Sequence, residues 1–319
     1  MNQKKIYSWA LYDWANSAFA TTVMAGFFPI FFSQYWSDPS NLSISTFYLG
    51  LGNSLASIVV ALLAPFLGAI ADRGSYKKRF LIFFAFLGIV MTVGLGFVAQ
   101  GMWPIALLVY IFATIGFSGA NTFYDSLLPS VSNEQTVDYV SALGYSLGYL
   151  GGGILIVVNF LMLSYPESFG LANSTSAIQW SFISVGIWWA LFSIPIMLFV
   201  EEERELETKS IADSIREGIA QFKSTFNEIK NLKVVATFLL AYWLYIDGVD
   251  TTVRMAANFG INLGFGETAI MGALVLVQFV AFFATLLYIK FSDKVGIKNG
   301  IYTACLLYTS DAADEGLGV

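Results

Sequence analysis

Histidine is absent from this chain and cysteine occurs once, at position 305. Without an imidazole there is no His-containing metal site, no Ser–His or Cys–His nucleophile and no histidine proton relay. With a single thiol there is no disulfide within the chain and no cysteine cluster. Charge is scarce as well: Asp, Glu, Lys and Arg make up 12% of the residues, about half the share of a soluble domain. The net charge of −6 offers no basic face to a nucleic acid. No Ser-based nucleophile motif and no phosphate-cradling loop is present, so no enzymatic activity is expected and no cofactor or metal is implied.

Apolar sequence fills the chain instead: 57% of its 319 residues are hydrophobic and the mean hydropathy is +0.68. A helix that crosses a bilayer needs about 20 mostly apolar residues. Runs that meet this condition lie near 9–36, 47–71, 80–99, 103–128, 140–163, 178–200, 234–257 and 268–291, and a ninth begins near Asn299. They are continuous rather than alternating and too long for barrel strands, so the expected fold class is all-α integral membrane. The first run is too long, and lacks the small-residue cleavage site, for a removable signal peptide.

Basic residues set the expected orientation. Lys4 and Lys5, the loop from Arg73 to Arg79, the segment 204–233, and Lys290, Lys294 and Lys298 fall on one side; the loops at 37–46, 100–102, 164–177 and 258–267 contain no Lys or Arg. The positive-inside rule therefore predicts a multi-pass protein with a cytoplasmic N-terminus, in a bacterial cytoplasmic membrane. Arg254 alone lies deep within a predicted span.

The expected organisation is a six-helix bundle over 1–200, a cytoplasmic linker over 201–233 and a partial second bundle over 234–304. The linker opens on the acidic patch Glu201 to Glu207, read as a solvated helix end. In it Ile211, Ile215, Ile219, Phe222, Phe226 and Ile229 recur at helical spacing, behind a cap formed by Ser210 and Asp213. That pattern predicts an amphipathic helix on the membrane surface. The ninth run breaks off at CLLYTSDAADEGLGV. Reverse-translated, Cys305 to Glu315 fits the read-through of a transposase sequencing adapter, so 305–319 is expected to be an assembly scar rather than native sequence. On that reading the native protein is longer, and Cys305 is not its own.

Two loops match each other. GAIADRGSYKKR, from Gly68 to Arg79, follows the second span, and SDKVGIKN, from Ser292 to Asn299, follows the eighth. Each is an Asp-basic turn two spans into its half. Together they resemble the signature of the major facilitator superfamily, built as two six-helix halves related by a parallel repeat. Gly68, Asp72 and Arg73 fit that signature, Lys77 and Lys78 come one place late, and the second copy keeps Asp293, Lys294 and Lys298. WALYDWANSAFATTV (Trp9 to Val23), NTFYDSLLPSV (Asn121 to Val131), SLGYLGGG (Ser146 to Gly153) and YIDGV are similar to the vacuole-effluxer-like branch, which groups fungal autophagy-related amino-acid effluxers with bacterial proteins of unassigned substrate. The resemblance implies a transporter working by alternating access. It also implies that Asp125, near the inner end of the fourth span, latches onto the basic loop at Arg73.

Asp247, Asp250 and Arg254 share an arc of about 60° on the seventh span, and Asp250 and Arg254 stand four apart, in pairing register. Facing lipid such a cluster would be prohibitive, whereas a water-filled cavity accommodates it. Asp13 and Asn16 repeat the Asp-x-x-polar spacing on the first span. These five residues, with Asn53 and Asn121, form the expected path of a small polar solute, with protons as the coupling ion carried by carboxylates. An arginine with two aspartates suits a zwitterion such as an amino acid. The bland alternatives are an ion pair that locks two helices or caps a break near Gly248, and asparagines that act as interhelical glue. A lipid-handling or scaffolding protein on the same fold would need no central polar site. The glycines Gly144, Gly148, Gly151, Gly152 and Gly153 read as a packing stripe. Trp9, Trp14 and Trp36 read as lipid-facing or belt residues.

Overall fold

In the computed structural model, residues 3–38, 40–74, 76–202, 232–296, 298–300 and 302–303 are described, with positions 216, 220, 223–224 and 227–228 between the two larger parts. The described chain is helical, without strands among the described residues, and eight helices have the length and hydropathy to cross a membrane. They are α1 (Gln3–Trp36), α2 (Leu42–Gly74), α3 (Lys77–Leu95), α4 (Trp103–Ser126), α5 (Val137–Ser164), α6 (Ser174–Phe199), α7 (Lys233–Asn262) and α8 (Glu267–Val295). The six apolar linker positions and the tail beyond 303 lie outside the described residues.

Helix α1 is the axis of the bundle. It packs against α5, α6 and α7, and its side chains are almost all buried, Tyr12, Phe19, Phe27, Phe28 and Trp36 completely so. It is not a uniform α-helix: Phe19–Phe27 and Phe32–Trp36 form wider π turns. The first of these ends just before Pro29, whose missing N–H interrupts the ladder there. π turns cluster at functional sites because they re-aim side chains without ending the helix.

The tryptophans correct the sequence-based expectation. Trp9 and Trp36 are 3% and 0% exposed, not belt residues. Their indoles find carbonyls on neighbouring elements: Trp9 Nε1 donates to the backbone oxygen of Tyr124 at 3.0 Å and Trp36 Nε1 to that of Val98 at 3.1 Å. Trp14 stacks on Trp188, which donates to the Trp14 carbonyl at 3.1 Å. An indole whose N–H is satisfied can be buried whole.

The glycine stripe of α5 is the surface on which α1 rides. A Cβ at Gly148 would stand 2.6 Å from Ser17 Oγ and 2.9 Å from Asp13 Cγ, and one at Gly151 would stand 2.6 Å from the Trp14 carbonyl. Gly148→Val should therefore lower stability by about 1–3 kcal/mol through overpacking. Gly50→Val, where a Cβ meets nothing within 4 Å, should change it little. The melting temperatures of the two detergent-purified variants check this; equal shifts would remove the close approach as the reason for glycine.

At the end of the bundle that carries the basic residues, the chain leaving α6 is tied down. Lys5 Nζ meets Glu201 Oε2 at 2.7 Å, and Lys4 Nζ lies 3.5 Å over the Phe199 ring. The Lys5 ammonium holds the Glu201 carboxyl below its usual range, through the hydrogen bond first and the charge second. Glu202 accepts the backbone N–H groups of Lys77 at 2.9 Å and Lys78 at 3.3 Å, while Lys78 Nζ donates to the Val200 carbonyl at 2.8 Å. These two acids of the predicted solvated patch thus pair and cap, Glu202 supplying acceptors to the orphan donors at the start of α3. Glu202→Ala should destabilise by about 0.5–2 kcal/mol, in the range of a lost N-cap. An unchanged melting temperature would show that the cap contributes nothing.

Candidate functional site

Helix α7 runs unbroken through Gly248, which rules out the expected alternative of a cap at a helix break there. Most of α7 is exposed, and its buried residues are Arg254, Ala257, Asn258 and Gly260. They lie in the half of the helix away from the basic end, where α7 meets α1 and α2. Arg254 Nη2 pairs with Asp250 Oδ2 at 2.7 Å, their side chains 10% and 47% exposed. Asp247 is exposed, one turn nearer the basic end.

Arg254 also crosses from one half of the chain to the other. Its Nη1 reaches Asn53 Oδ1 of α2 at 3.5 Å, and the same oxygen accepts the Tyr110 hydroxyl of α4 at 2.9 Å. Tyr110 is held by a stacked Phe28, ring centroids 3.8 Å apart. Two buried donors are left over: Arg254 Nε and Asn53 Nδ2 have no hydrogen-bond partner among the described residues. Donors without acceptors are costly in a low-dielectric interior, most of all on a cation. The pair is thus set to receive an anionic or carbonyl oxygen.

Further from the basic end a second polar link joins the halves. Thr46 Oγ1 donates to Asn258 Oδ1 at 3.0 Å, and Asn262 Nδ2 donates to Asn258 Oδ1 at 3.1 Å.

The other predicted residues gather elsewhere. Asn16 Nδ2 donates to Asn121 Oδ1, tying α1 to α4. Asp13 accepts the Ser17 hydroxyl at 2.9 Å. Asp13, Asn121 and Asp125 line one cleft of about 100 Å³ between α1, α4 and α5. Asp125 shares this cleft with Asp13, and the side chain of Arg73, the latch partner that the resemblance implies, lies outside the described residues. Asp72, Arg73 and Asp293 sit on helical backbone, and their side chains lie outside the described residues. Gly68 is helical with open space where a Cβ would be. Lys77 and Lys78 face the chain leaving α6, Lys294 is exposed, and Lys298 lies 5.8 Å over the Tyr302 ring.

Sequence reading missed Tyr110, Tyr124, Thr46 and Asn258. Asn258 carried a signal, since it continues the Asp250–Arg254 face one turn on, and Tyr124 stood within the quoted NTFYDSLLPSV stretch without a role.

The family described as "Vacuole effluxer Atg22 like" matches residues 1–310. An MFS-type transporter of Bacillus subtilis (strain 168), YxiO, is 34% identical over 96% of this chain and 71% of its own length. Autophagy-related protein 22 of Kluyveromyces lactis is 25% identical over 72% of this chain and 49% of its own, so the chain spans about half of that relative. Among solved structures, the xylose transporter XylE from E. coli, in a partially occluded inward open conformation, superposes with a TM-score of 0.63 at 17% identity, covering 91% of this chain and 74% of XylE.

Proposed function

Since the chain belongs to the vacuole effluxer Atg22-like family and is a multi-pass membrane transporter of the MFS type, we propose that it moves a small zwitterionic solute, an amino acid, by cation-coupled alternating access. The observation that carries this reading is the pair of unsatisfied buried donors, Arg254 Nε and Asn53 Nδ2, beside the Asp250 carboxylate. A solute carboxylate would satisfy those donors, and its ammonium would lie toward Asp250 and Asp247. The charged ends of a zwitterion thus find opposite charges on one helix face, which a sugar or a lipid tail does not need.

The halves touch through α8, which packs along α5, and through the part of α7 away from the basic end, while the basic-end half of α7 is exposed. With the basic side cytoplasmic, as the loop charges predict, the solute site opens inward. Protons are the coupling ion expected from the sequence, carried by Asp13, Asp247 or Asp250. The protein resides in a bacterial cytoplasmic membrane on this reading.

Uptake of a labelled amino-acid mixture into proteoliposomes, with and without a pH gradient, tests the proposal. Saturable uptake that competes with unlabelled amino acids, and exceeds that of empty liposomes, is the expected result. Lack of uptake of any amino acid under either gradient, by protein shown to be inserted, would favour the lipid-handling or scaffolding alternative.

A further inference from the structure

The cleft between α1, α4 and α5 is separate from the Arg254 site and differs from it in charge. It holds two carboxylates, Asp13 and Asp125, and no Lys or Arg among its lining residues. Asp13 accepts one hydrogen bond, from Ser17, and lies within electrostatic reach of Asp125. Asp125, one residue from the end of α4, is exposed at the cleft, and its carboxylate has no hydrogen bond or ion pair among the described residues. Two carboxylates sharing a cleft inside a membrane bundle cannot both stay ionised without a countercharge, which a proton or a bound cation supplies.

The wall of the cleft supplies a second, independent sign of a ligand. Tyr124 is 5% exposed and lines the cleft, yet its hydroxyl has no partner among the described residues. A buried hydroxyl left unmatched is costly unless something outside the protein completes it. Its position is fixed from two sides: the ring stacks on Trp9 with centroids 4.3 Å apart, and a Cβ at Gly144 would stand 2.9 Å from the hydroxyl oxygen. Only a glycine on α5 leaves room for that oxygen. Asn121 and Tyr145 add oxygens, while Trp9 presents an aromatic face. Carboxylate, phenol and amide oxygens around a charge-poor wall are the donor set of a hard monovalent cation, and aromatic faces tolerate an ammonium as well.

We infer that the Asp13–Asp125 cleft is a binding site for a monovalent cation, distinct from the solute site at Arg254, in which Tyr124 completes the oxygen shell. This deepens the coupled-transport reading and rests on it, because it replaces the bare proton as coupling ion by a cation that competes with protons for the same two carboxylates. The titratable groups facing the site are Asp13 and Tyr12 from α1, Asp125 and Tyr124 from α4, and Tyr145 and Tyr149 from α5.

Isothermal titration of the purified full chain with sodium, potassium or methylammonium chloride, against choline chloride at matched ionic strength, is the test. At least one small cation should bind saturably, with protons released on binding near neutral pH. The alkali salts report an inorganic coupling ion and methylammonium an organic ammonium. Asp13→Asn and Asp125→Asn should each weaken binding at least tenfold, and Tyr124→Phe, which removes one oxygen and keeps the stacked ring, about threefold or more. Arg254→Ala should leave it intact. Heats identical to those of choline for every cation between pH 5.5 and 8.5 in the unmodified protein would overturn the inference, and that measurement needs no variant to fold. Binding retained in both Asn variants would overturn it too. The measurement involves no flux, so its failure leaves the solute site standing, and a failure of amino-acid uptake leaves the cation result standing.

Discussion

Arg254→Ala should abolish solute uptake, by at least a hundredfold, while the protein still inserts and purifies as a monodisperse species. The reason lies in how much converges on one guanidinium. It pairs with Asp250 at 2.7 Å, reaches Asn53 across the two halves at 3.5 Å, and keeps a buried Nε free of any partner among the described residues. Truncation removes the only cation at that depth of α7 and leaves the Asp250 carboxylate without its partner. That carboxylate is half-exposed and keeps part of its hydration, but with no cation beside it a solute carboxylate would meet only a like charge. Binding of an anion-bearing solute should therefore fail before any conformational step.

Insertion should survive, because replacing a cation by alanine makes α7 more apolar, the helix is continuous, and its packing on α1 and α2 includes Ala257 and Gly260, which the substitution leaves in place. Arg254→Lys keeps the charge but not the fork, and should bind solute weakly rather than not at all. Uptake at wild-type rate by Arg254→Ala proteoliposomes would remove the cluster from the solute path and return it to the role of an ion pair that locks helices.

Much of this was legible in the sequence, for physical reasons that differ from residue to residue. Eight spans were readable because lipid exposure imposes long apolar runs, and the ends of α4 and α6 fall within a few residues of expectation. Helix α1 begins at Gln3 rather than near 9, because Lys4 and Lys5 are held by Phe199 and Glu201 and so extend the helix past its apolar run. Asp250 and Arg254 were readable as a pair because four-residue spacing on a helix is local. The partners of Arg254 were not: Asn53 is 201 positions away, and no helical period relates residues on different helices. Burial of Trp9 and Trp36 was hidden for the same reason, since the carbonyls that satisfy them belong to residues 124 and 98. The meeting of Asp13 and Asp125 in one cleft depends on how closely α1 and α5 approach. That approach is written in the glycines of α5, but only as a stripe and not as a distance.

A cross-link between positions 46 and 258 should stop transport, and its removal should restore it. Thr46 near the start of α2 and Asn258 on α7 are joined side chain to side chain at 3.0 Å, in the part of the interface away from the basic end. Asn262, one turn on, donates to the same Asn258 oxygen. Together with Arg254 and Asn53 they form a polar seam along one side of the contact between the halves, while the basic-end half of α7 lies free of the first bundle. Alternating access requires this seam to part when the opposite side closes, since a rigid half cannot expose the solute site to both faces at once. The seam's hydrogen bonds are neutral ones, each worth about 0.5–1.5 kcal/mol net. They bias the equilibrium without freezing it, whereas a covalent link would freeze it. With Cys305 replaced by serine, the double variant Thr46→Cys and Asn258→Cys should form a disulfide or accept a short bifunctional thiol reagent. Uptake should then fall to the level of empty liposomes after oxidation and recover on reduction, while each single variant stays active and insensitive to oxidant. The cation titration should be unaffected by the link, because the Asp13–Asp125 cleft lies between α1, α4 and α5, within one half. Full cross-linking, verified by mass shift, with undiminished uptake would mean that α2 and α7 move as one body, and the seam would then be a fixed hinge and not a gate.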